Sequence, residues 1–139
     1  MTLITITLQT PNGESLTDIT TQVRDAITAA GGIQAGICAL FVPHTTAAIT
    51  INSMLDTATA EDILADMQRL VPKRVDFHHQ YDTPSDAAGH VKAALVGHSV
   101  TLIIHDGAPL LGGSQSVLFY EFDGPRSRKV LVKIIPDTD

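Results

Sequence analysis

The sequence predicts an α+β fold: an antiparallel, sandwich-like β-sheet with two main helices and one short helix, built as a single domain over residues 1–139. Three observations predict it. Strand-like segments outnumber helical stripes and gather in sequence, with almost everything after residue 100 reading as strand; such clustering favours antiparallel packing over a regular βαβ alternation. A chain of 139 residues buries about two thirds of its unfolded surface, enough for a core without disulfides. Trp is absent and aromatic residues make up only 4% of the chain, so Ile, Val, Leu and Ala must fill that core, and the β-branched members suit strands.

Taken in order, residues 3–10 alternate, with Ile4, Ile6 and Leu8 opposed to Thr5 and Thr7, as in a half-buried strand. Pro11-Asn12-Gly13 is turn chemistry. Thr20 or Thr21 caps a helix whose stripe is Val23, Ala26, Ile27 and Ala30, and Gly31-Gly32 ends it. Residues 36–43 form a near-continuous apolar run, read as a buried strand in which Cys38 is a small core residue. Residues 45–52 alternate again. Ala47, Ile49 and Ile51 share one face; Thr46, Ala48, Thr50 and Asn52 share the other, and His44 has the same parity. Thr59 and Asp62 have capping-box spacing before the stripe Ile63, Leu64, Met67 and Leu70, which stops at Val71-Pro72. Residues 73–83 read as loop or irregular strand.

Pro84-Ser85 then opens the short helix, with Ser85 as cap and Asp86 in the first turn; Ala87, Val91, Ala94 and Leu95 point inward, and Gly97 stops it. Residues 100–105 are a strand, Asp106-Gly107 a turn, and 108–113 a short piece whose glycine pair suggests a bulge. Residues 116–122 and 128–135 are strands joined by the turn 123–126, and 136–139 form a frayed tail.

The net charge of −6 argues against nucleic-acid or anionic-membrane partners, which need a basic field. A local cluster, Lys92 with the region 126–129, can still take a small phosphate. Charged residues are only 17% of the chain, a low share that suits either self-association or a monomer with a Thr- and Ser-rich surface. No targeting segment is visible, and no apolar run approaches the roughly 18 residues of a membrane span. The single cysteine cannot form an intrachain disulfide, which fits a reducing compartment, here read as the cytoplasm.

The stretch 75–92, VDFHHQYDTPSDAAGHVK, holds three of the six histidines, His78, His79 and His90, with Asp76, Asp82 and Asp86. It has little apolar periodicity until near its end, so core packing does not explain it. His44, in VPHTTAAIT, is a fourth histidine that the fold can bring to this loop. Three neutral imidazoles would hold a zinc-like ion with a position open for water or substrate. His44, one of His78 and His79, and His90 supply such a set; adjacent histidines in an extended segment face opposite ways, so only one of that pair joins. Asp86 and His90 are helix neighbours, and the carboxylate either ligates beside the ring or orients it. Metal-free acid–base work is an alternative, as are surface roles for all six histidines. His98, after a helix-ending glycine, and His105, at a strand end, are read as local. Ser85, Ser99 or Ser114 as nucleophile lacks a GxSxG elbow. Gly112-Gly113-Ser114 offers backbone N–H groups to an anion but reads more simply as a turn.

At these residues the chain resembles the YjbQ-type proteins, also called secondary thiamine-phosphate synthase proteins. The resemblance runs through HTTAAITIN at 44–52, the histidine two before Tyr81, DAAGHVKAALVGHS at 86–99, DGAPLLGGSQ at 106–115 and EFDGPRSRKVLV at 121–132. It implies a compact α+β fold assembled as a homotrimer. It selects His79 over His78 and implies a site of His44, Thr45, Thr46, Asn52, His79, Asp86, His90 and Lys92, joined by Gln115, Glu121 and Arg126. The implied metal ligands are His44, His79 and His90, and the implied partner is a small phosphorylated molecule. The implied reaction joins a pyrimidine diphosphate to a thiazole phosphate and expels pyrophosphate, with Lys92 and Arg126 on phosphate oxygens. Pyrophosphate calls for magnesium on oxygen ligands, whereas a histidine cluster favours zinc. A metal-assisted hydrolase of a small phosphorylated substrate and a non-catalytic metal- or anion-binding trimer are therefore the rival readings. Two departures stand out: LGGSQ replaces the family's usual LGTWQ, putting Ser114 where tryptophan is common, and Ser53 replaces an acidic residue.

Overall fold

The computed structural model describes residues 3–138. Its elements are β1 (Ile4–Gln9), β2 (Gly13–Asp18), α1 (Thr20–Ala29), β3 (Gly36–Phe41), β4 (Ala47–Asn52), α2 (Thr57–Leu70), α3 (Pro84–Val96), β5 (Ser99–His105), β6 (Ala108–Pro109), β7 (Ser116–Gly124) and β8 (Ser127–Pro136). A five-stranded sheet runs β1-β8-β3-β5-β6 and a three-stranded sheet runs β2-β7-β4. Every pairing is antiparallel, as the clustering of strands predicts.

Period-two burial stacks the two sheets. On β8, Arg128, Val130, Val132 and Ile134 are buried while Ser127, Lys129, Lys133 and Ile135 are exposed. The inward residues join Ile6, Cys38, Leu40, Leu102 and Ile104 of the larger sheet and meet Ala47, Ile49, Val117 and Phe119 of the smaller. Helix α1 adds the predicted Val23, Ala26 and Ile27 to this layer. Each fully buried Val, Leu, Ile or Phe contributes about 1.5–3 kcal/mol, so this layer is the main source of stability. The far face of the smaller sheet is covered as well. Ala48, Tyr120 and Phe122 pack against Ile63, Leu64 and Met67 of α2 and Ala93 and Val96 of α3.

Several local expectations change for physical reasons. The segment after Asn12 is a strand, β2, because Leu16 is its one strongly apolar residue and β7 supplies the pairing that its polar sequence hides. Strand β3 is buried on one face only: Ile37 and Phe41 are each 43% exposed, since no helix or second sheet among the described residues covers the outer face of the five-stranded sheet. The α1 cap position is Ile19, and Asp18 accepts hydrogen bonds from the Thr20 backbone N–H and hydroxyl at 2.9 and 2.6 Å. Asp56, not Thr59, caps α2, accepting from the Thr59 N–H at 2.9 Å. The strand of residues 45–52 begins only at Ala47, leaving His44 and Thr46 in the approach to it. Strands β7 and β8 do not pair with each other; the turn between them carries the chain from one sheet to the other. Gly112 and Gln115 close a tight turn, with the Gly112 N–H also donating to Gln115 Oε1 at 2.8 Å, so the glycine pair is not a bulge.

Helix α3 departs furthest. Its bounds follow the sequence, from Pro84 to a stop at Gly97, although at 13 residues it is comparable to α1 at 10 and α2 at 14 rather than short; what changes is its cap and its inward face. Thr83 caps it, accepting from the Asp86 N–H, and Pro84 follows. Ala87 is buried as predicted, but Val91 and Leu95 are 47% and 59% exposed. The inward face is instead Ala88, Gly89 and Lys92. A Cβ built on Gly89 would stand 3.3 Å from the Cβ atoms of Phe122 and Thr46. Small residues therefore set a close helix-to-sheet approach that larger apolar ones would block.

The two sheets are tied by a buried ion pair. Arg128 binds both Glu121 oxygens, and Glu121 is fully buried. Truncating one partner strands the other charge in the interior, which typically destabilises by about 3–5 kcal/mol. Glu121→Ala is expected to lower the unfolding free energy by that amount, seen as a lower urea midpoint, whereas Glu121→Met with Arg128→Met loses much less. Chemical denaturation followed by circular dichroism checks both.

Candidate metal and anion site

Helix geometry builds the first part of the site. Asp86 and His90 are one turn apart on α3, and His90 Nε2 lies 3.3 Å from Asp86 Oδ2. The loop before α3 brings His79 Nε2 to 2.9 Å from the same oxygen, and its ring stands edge-on to that of His90, with centroids 4.9 Å apart. Asp86 is buried while both rings are partly exposed. It stands in the first turn of α3, where its backbone N–H donates to the Thr83 cap. The three donor atoms all lie within 4.8 Å of one another. Tetrahedral zinc with bonds of about 2.0–2.1 Å needs ligand atoms roughly 3.3 Å apart; the two edges at Asp86, 2.9 and 3.3 Å, are near that value, and the third is no longer than 4.8 Å.

A cleft of about 830 Å³ opens beside this group, lined by His44, Thr45, Thr46, Asp82, Asp86, His90, His98, Arg126 and Arg128 among others. His44 stands in the link from β3 to β4 and does not belong to the three-donor group. Its Nε2 accepts a hydrogen bond from the Lys129 backbone N–H at 2.9 Å. That bond needs a lone pair on Nε2, so the ring proton sits on Nδ1. Burial, then the Arg128 charge, hold the His44 pKa below the ordinary imidazole value. Arg126 donates to Asp123, at 2.8 Å from Nη2 to Oδ2. That bond, with Asp82 and Asp86 contributing further charge, raises its pKa.

The structure thus gathers His44, Thr45, Thr46, Asp86, His90 and Arg126 around one cleft, with His79 attached through Asp86. It places other expected residues elsewhere. Lys92 is 1% exposed and paired with Glu14 of β2; two residues on from His90, it points from the opposite side of α3 and is not a phosphate ligand in this arrangement. Glu121 is saturated by Arg128, Thr10 and the Asp123 N–H. Asn52 accepts from the Ser53 N–H, and Gln115 closes the turn at Gly112. Both lie by the Asn52↔Ser116 end of the β4–β7 ladder, whereas the cleft is reached from the Ala47↔Glu121 end.

Two cleft residues stand differently from their reading in the sequence, where His98 is local and Arg128 is only one member of the basic region 126–129. His98 lines the cleft, with its ring edge-on to Phe41 at 5.3 Å. Arg128 lies in its lining, and the available signal was parity: it shares the inward face of Val130, Val132 and Ile134, where an arginine demands a partner.

Comparison with known proteins agrees with the architecture. Residues 4–137 match the family described as UPF0047 protein YjbQ-like. A UPF0047 protein of Methanocaldococcus jannaschii is 46% identical over 130 residues, covering 94% of this chain and 91% of the relative. YugU of Bacillus subtilis, also a UPF0047 protein, is 34% identical and covers 96% and 98%. A crystal structure of an uncharacterized YjbQ/UPF0047 protein from Clostridium acetobutylicum superposes with TM-score 0.88 at 42% identity, covering 95% and 99%. A protein of unknown function from Sulfolobus solfataricus superposes with TM-score 0.90 at 30% identity, covering 98% and 97%.

The lowered pKa of His44 has a defined consequence. A histidine whose folded pKa is depressed binds its proton more readily unfolded, so stability is undisturbed above the unfolded value near 6.5 and falls as pH drops below it. The His44 ring is expected to titrate below pH 6.5 by NMR, and His44→Gln to flatten the loss of thermal stability on acidification.

Proposed function

The chain belongs to the UPF0047 YjbQ-like family, and from that premise we propose that it is a metal-assisted enzyme acting on a small phosphorylated molecule. The observation that carries this reading is the convergence of His79, Asp86 and His90. Two imidazoles and one carboxylate favour zinc over magnesium and leave a coordination position open. A zinc ion there would lower the pKa of bound water and polarise a phosphoryl oxygen, which is hydrolytic chemistry. The chain's own residues supply the rest. Asp86, buried and capped by Thr83, fixes both rings. Thr45 and Arg126 line the same cleft, placed to hold and orient the part of the substrate outside its phosphoryl group.

One observation favours a second reaction. At about 830 Å³ the cleft is at the upper end of the roughly 300–1,000 Å³ usual for small-molecule sites, so two small ligands can lie side by side. A joining reaction of the thiamine-phosphate-synthase type needs that room. A binding module without turnover would use the same donors, and only assays separate it.

Assembly as a homotrimer is part of the proposal. The outer face of the five-stranded sheet carries Ile37, Phe41, Ile103 and Ile135, exposed by 43%, 43%, 60% and 54%, and pairing sets Ile37 beside both Ile103 and Ile135. Contiguous exposed apolar surface of this kind marks interaction sites. The cytoplasm suits the reading: burial pushes the unpaired Cys38 thiol up to about 11, an inert form that needs no oxidising partner.

Calorimetry is expected to find one zinc per chain, with His90→Ala and Asp86→Asn each weakening it at least tenfold. Equal rates for wild type and His90→Ala on every phosphorylated substrate tried would remove the enzyme reading. Light scattering is expected to give three times the chain mass, and Ile103→Glu to reduce it to one; an unchanged mass locates any interface elsewhere.

A further inference from the structure

A second element of the cleft is assigned neither by the family resemblance nor by the metal group. Arg128 is 7% exposed. Its Nε donates to Glu121 Oε1 at 2.7 Å and its Nη2 to Glu121 Oε2. Nη2 also donates to Thr46 Oγ1 and O, at 2.9 and 3.3 Å. The hydrogen bonds within the described residues therefore occupy one edge of the guanidinium and leave Nη1, with its two N–H groups, for a ligand. Arg128 lines the cleft, as does His44, whose Nδ1–H is likewise the nitrogen left over once Nε2 has accepted from Lys129. Both donors are held by contacts on their other side, so neither needs to reorganise when an anion arrives.

We propose that Arg128 Nη1 and the Nδ1–H of His44 form the oxyanion receptor of the cleft, selecting a tetrahedral phosphoryl group. The assignment deepens the metal-assisted reading above and rests on it for the reaction, though not for the contact itself. Charge explains why the two parts belong together. Asp82 and Asp86 line the cleft with Arg126 and Arg128, and each guanidinium already carries a carboxylate partner behind it, Asp123 or Glu121. With neutral histidines the formal charge around the cleft is then −2, which repels a phosphate. A divalent cation on His79, Asp86 and His90 cancels it. Metal and anion therefore bind with positive, reciprocal coupling.

Titration of the full chain with inorganic phosphate, by calorimetry and by 31P line broadening, with and without zinc, tests this. Zinc is expected to tighten phosphate at least fivefold. Arg128→Lys, which keeps the charge on Glu121 but loses the Nη1 edge, is expected to weaken phosphate at least tenfold, about 1.4 kcal/mol. Glu121→Met with Arg128→Met is expected to show the same loss, without the unpaired carboxylate that could impair folding. His44→Ala weakens it by a smaller factor, and Arg126→Ala by about threefold or less. Acetate at the same concentration does not compete. Phosphate affinity in Arg128→Lys within twofold of wild type overturns the assignment. So do a larger loss in Arg126→Ala, equal competition by acetate, or no phosphate binding by wild type in either state. Absence of zinc binding defeats the preceding reading alone, because the Arg128→Lys loss is still readable at high phosphate in metal-free protein.

Discussion

The buried contact between Arg128 and Glu121 is the constraint around which the cleft is organised. β7 and β8 leave each other after Gly124 to enter different sheets, and this pair holds the two sheets in register at the point of divergence. It recruits neighbours from distant sequence. Thr10 donates to Glu121 at 2.7 Å and accepts from the Arg126 N–H at 3.0 Å, while Thr46 accepts from Arg128. The crossing is tight: a Cβ on Gly124 would stand 2.0 Å from the Pro11 carbonyl oxygen. Partners separated by 82 to 116 positions thereby fix the loop that carries His44 against the strand that carries Lys129. Replacing such a pair by apolar side chains is often tolerated as far as stability goes. On the proposed reading, the guanidinium edge left open to the cleft gives this pair a use beyond stability.

Helix α3 is the second positioning device, and it works by having two dissimilar faces. The inner face is small, with Ala88 and Gly89 allowing close contact with Phe122 and Thr46, and it ends in the sealed Lys92–Glu14 pair. The outer face presents Asp86 and His90. Anchoring by a buried charge pair fixes both the rotation and the depth of the helix. The lysine expected at substrate oxygens thus contributes by holding the helix that carries the donors.

Much of the fold is legible in sequence because it depends on short-range patterns: alternation for β1, β4 and β8, the stripe of α1, and glycine stops at Gly31 and Gly97. What escapes depends on partners. The strand character of β2 comes from pairing with β7. The exposure of Ile37 and Phe41 reflects a sheet with no layer over it, which no local pattern records. In the site, the histidine-rich stretch and HTT segment were legible as chemistry out of place, and His79 and His90 converge as expected. His44 illustrates the limit. Its residue type suits a ligand, but the Lys129 N–H that occupies Nε2 comes from 85 positions away, so its role is set by topology rather than by its own segment. Arg128 was legible only as one cation of the basic region 126–129, because its partner Glu121 and its inward face depend on how the two sheets pack.

The protonation logic of the cleft separates its two halves. On the proposed reading, the metal half needs lone pairs: His79 and His90 must present unprotonated Nε2 atoms, and Asp86 must be ionised. The anion half needs protons: Arg128 keeps its charge at any physiological pH, and His44 keeps a proton on Nδ1 because Nε2 is spent on the backbone. If His44 turned to join the metal through Nε2, it would leave the Lys129 N–H unsatisfied and remove a donor from the anion half. The bond to Lys129 therefore decides between two otherwise equivalent imidazole roles. It sorts the histidines into two ligands and one donor, an assignment that residue type alone leaves open.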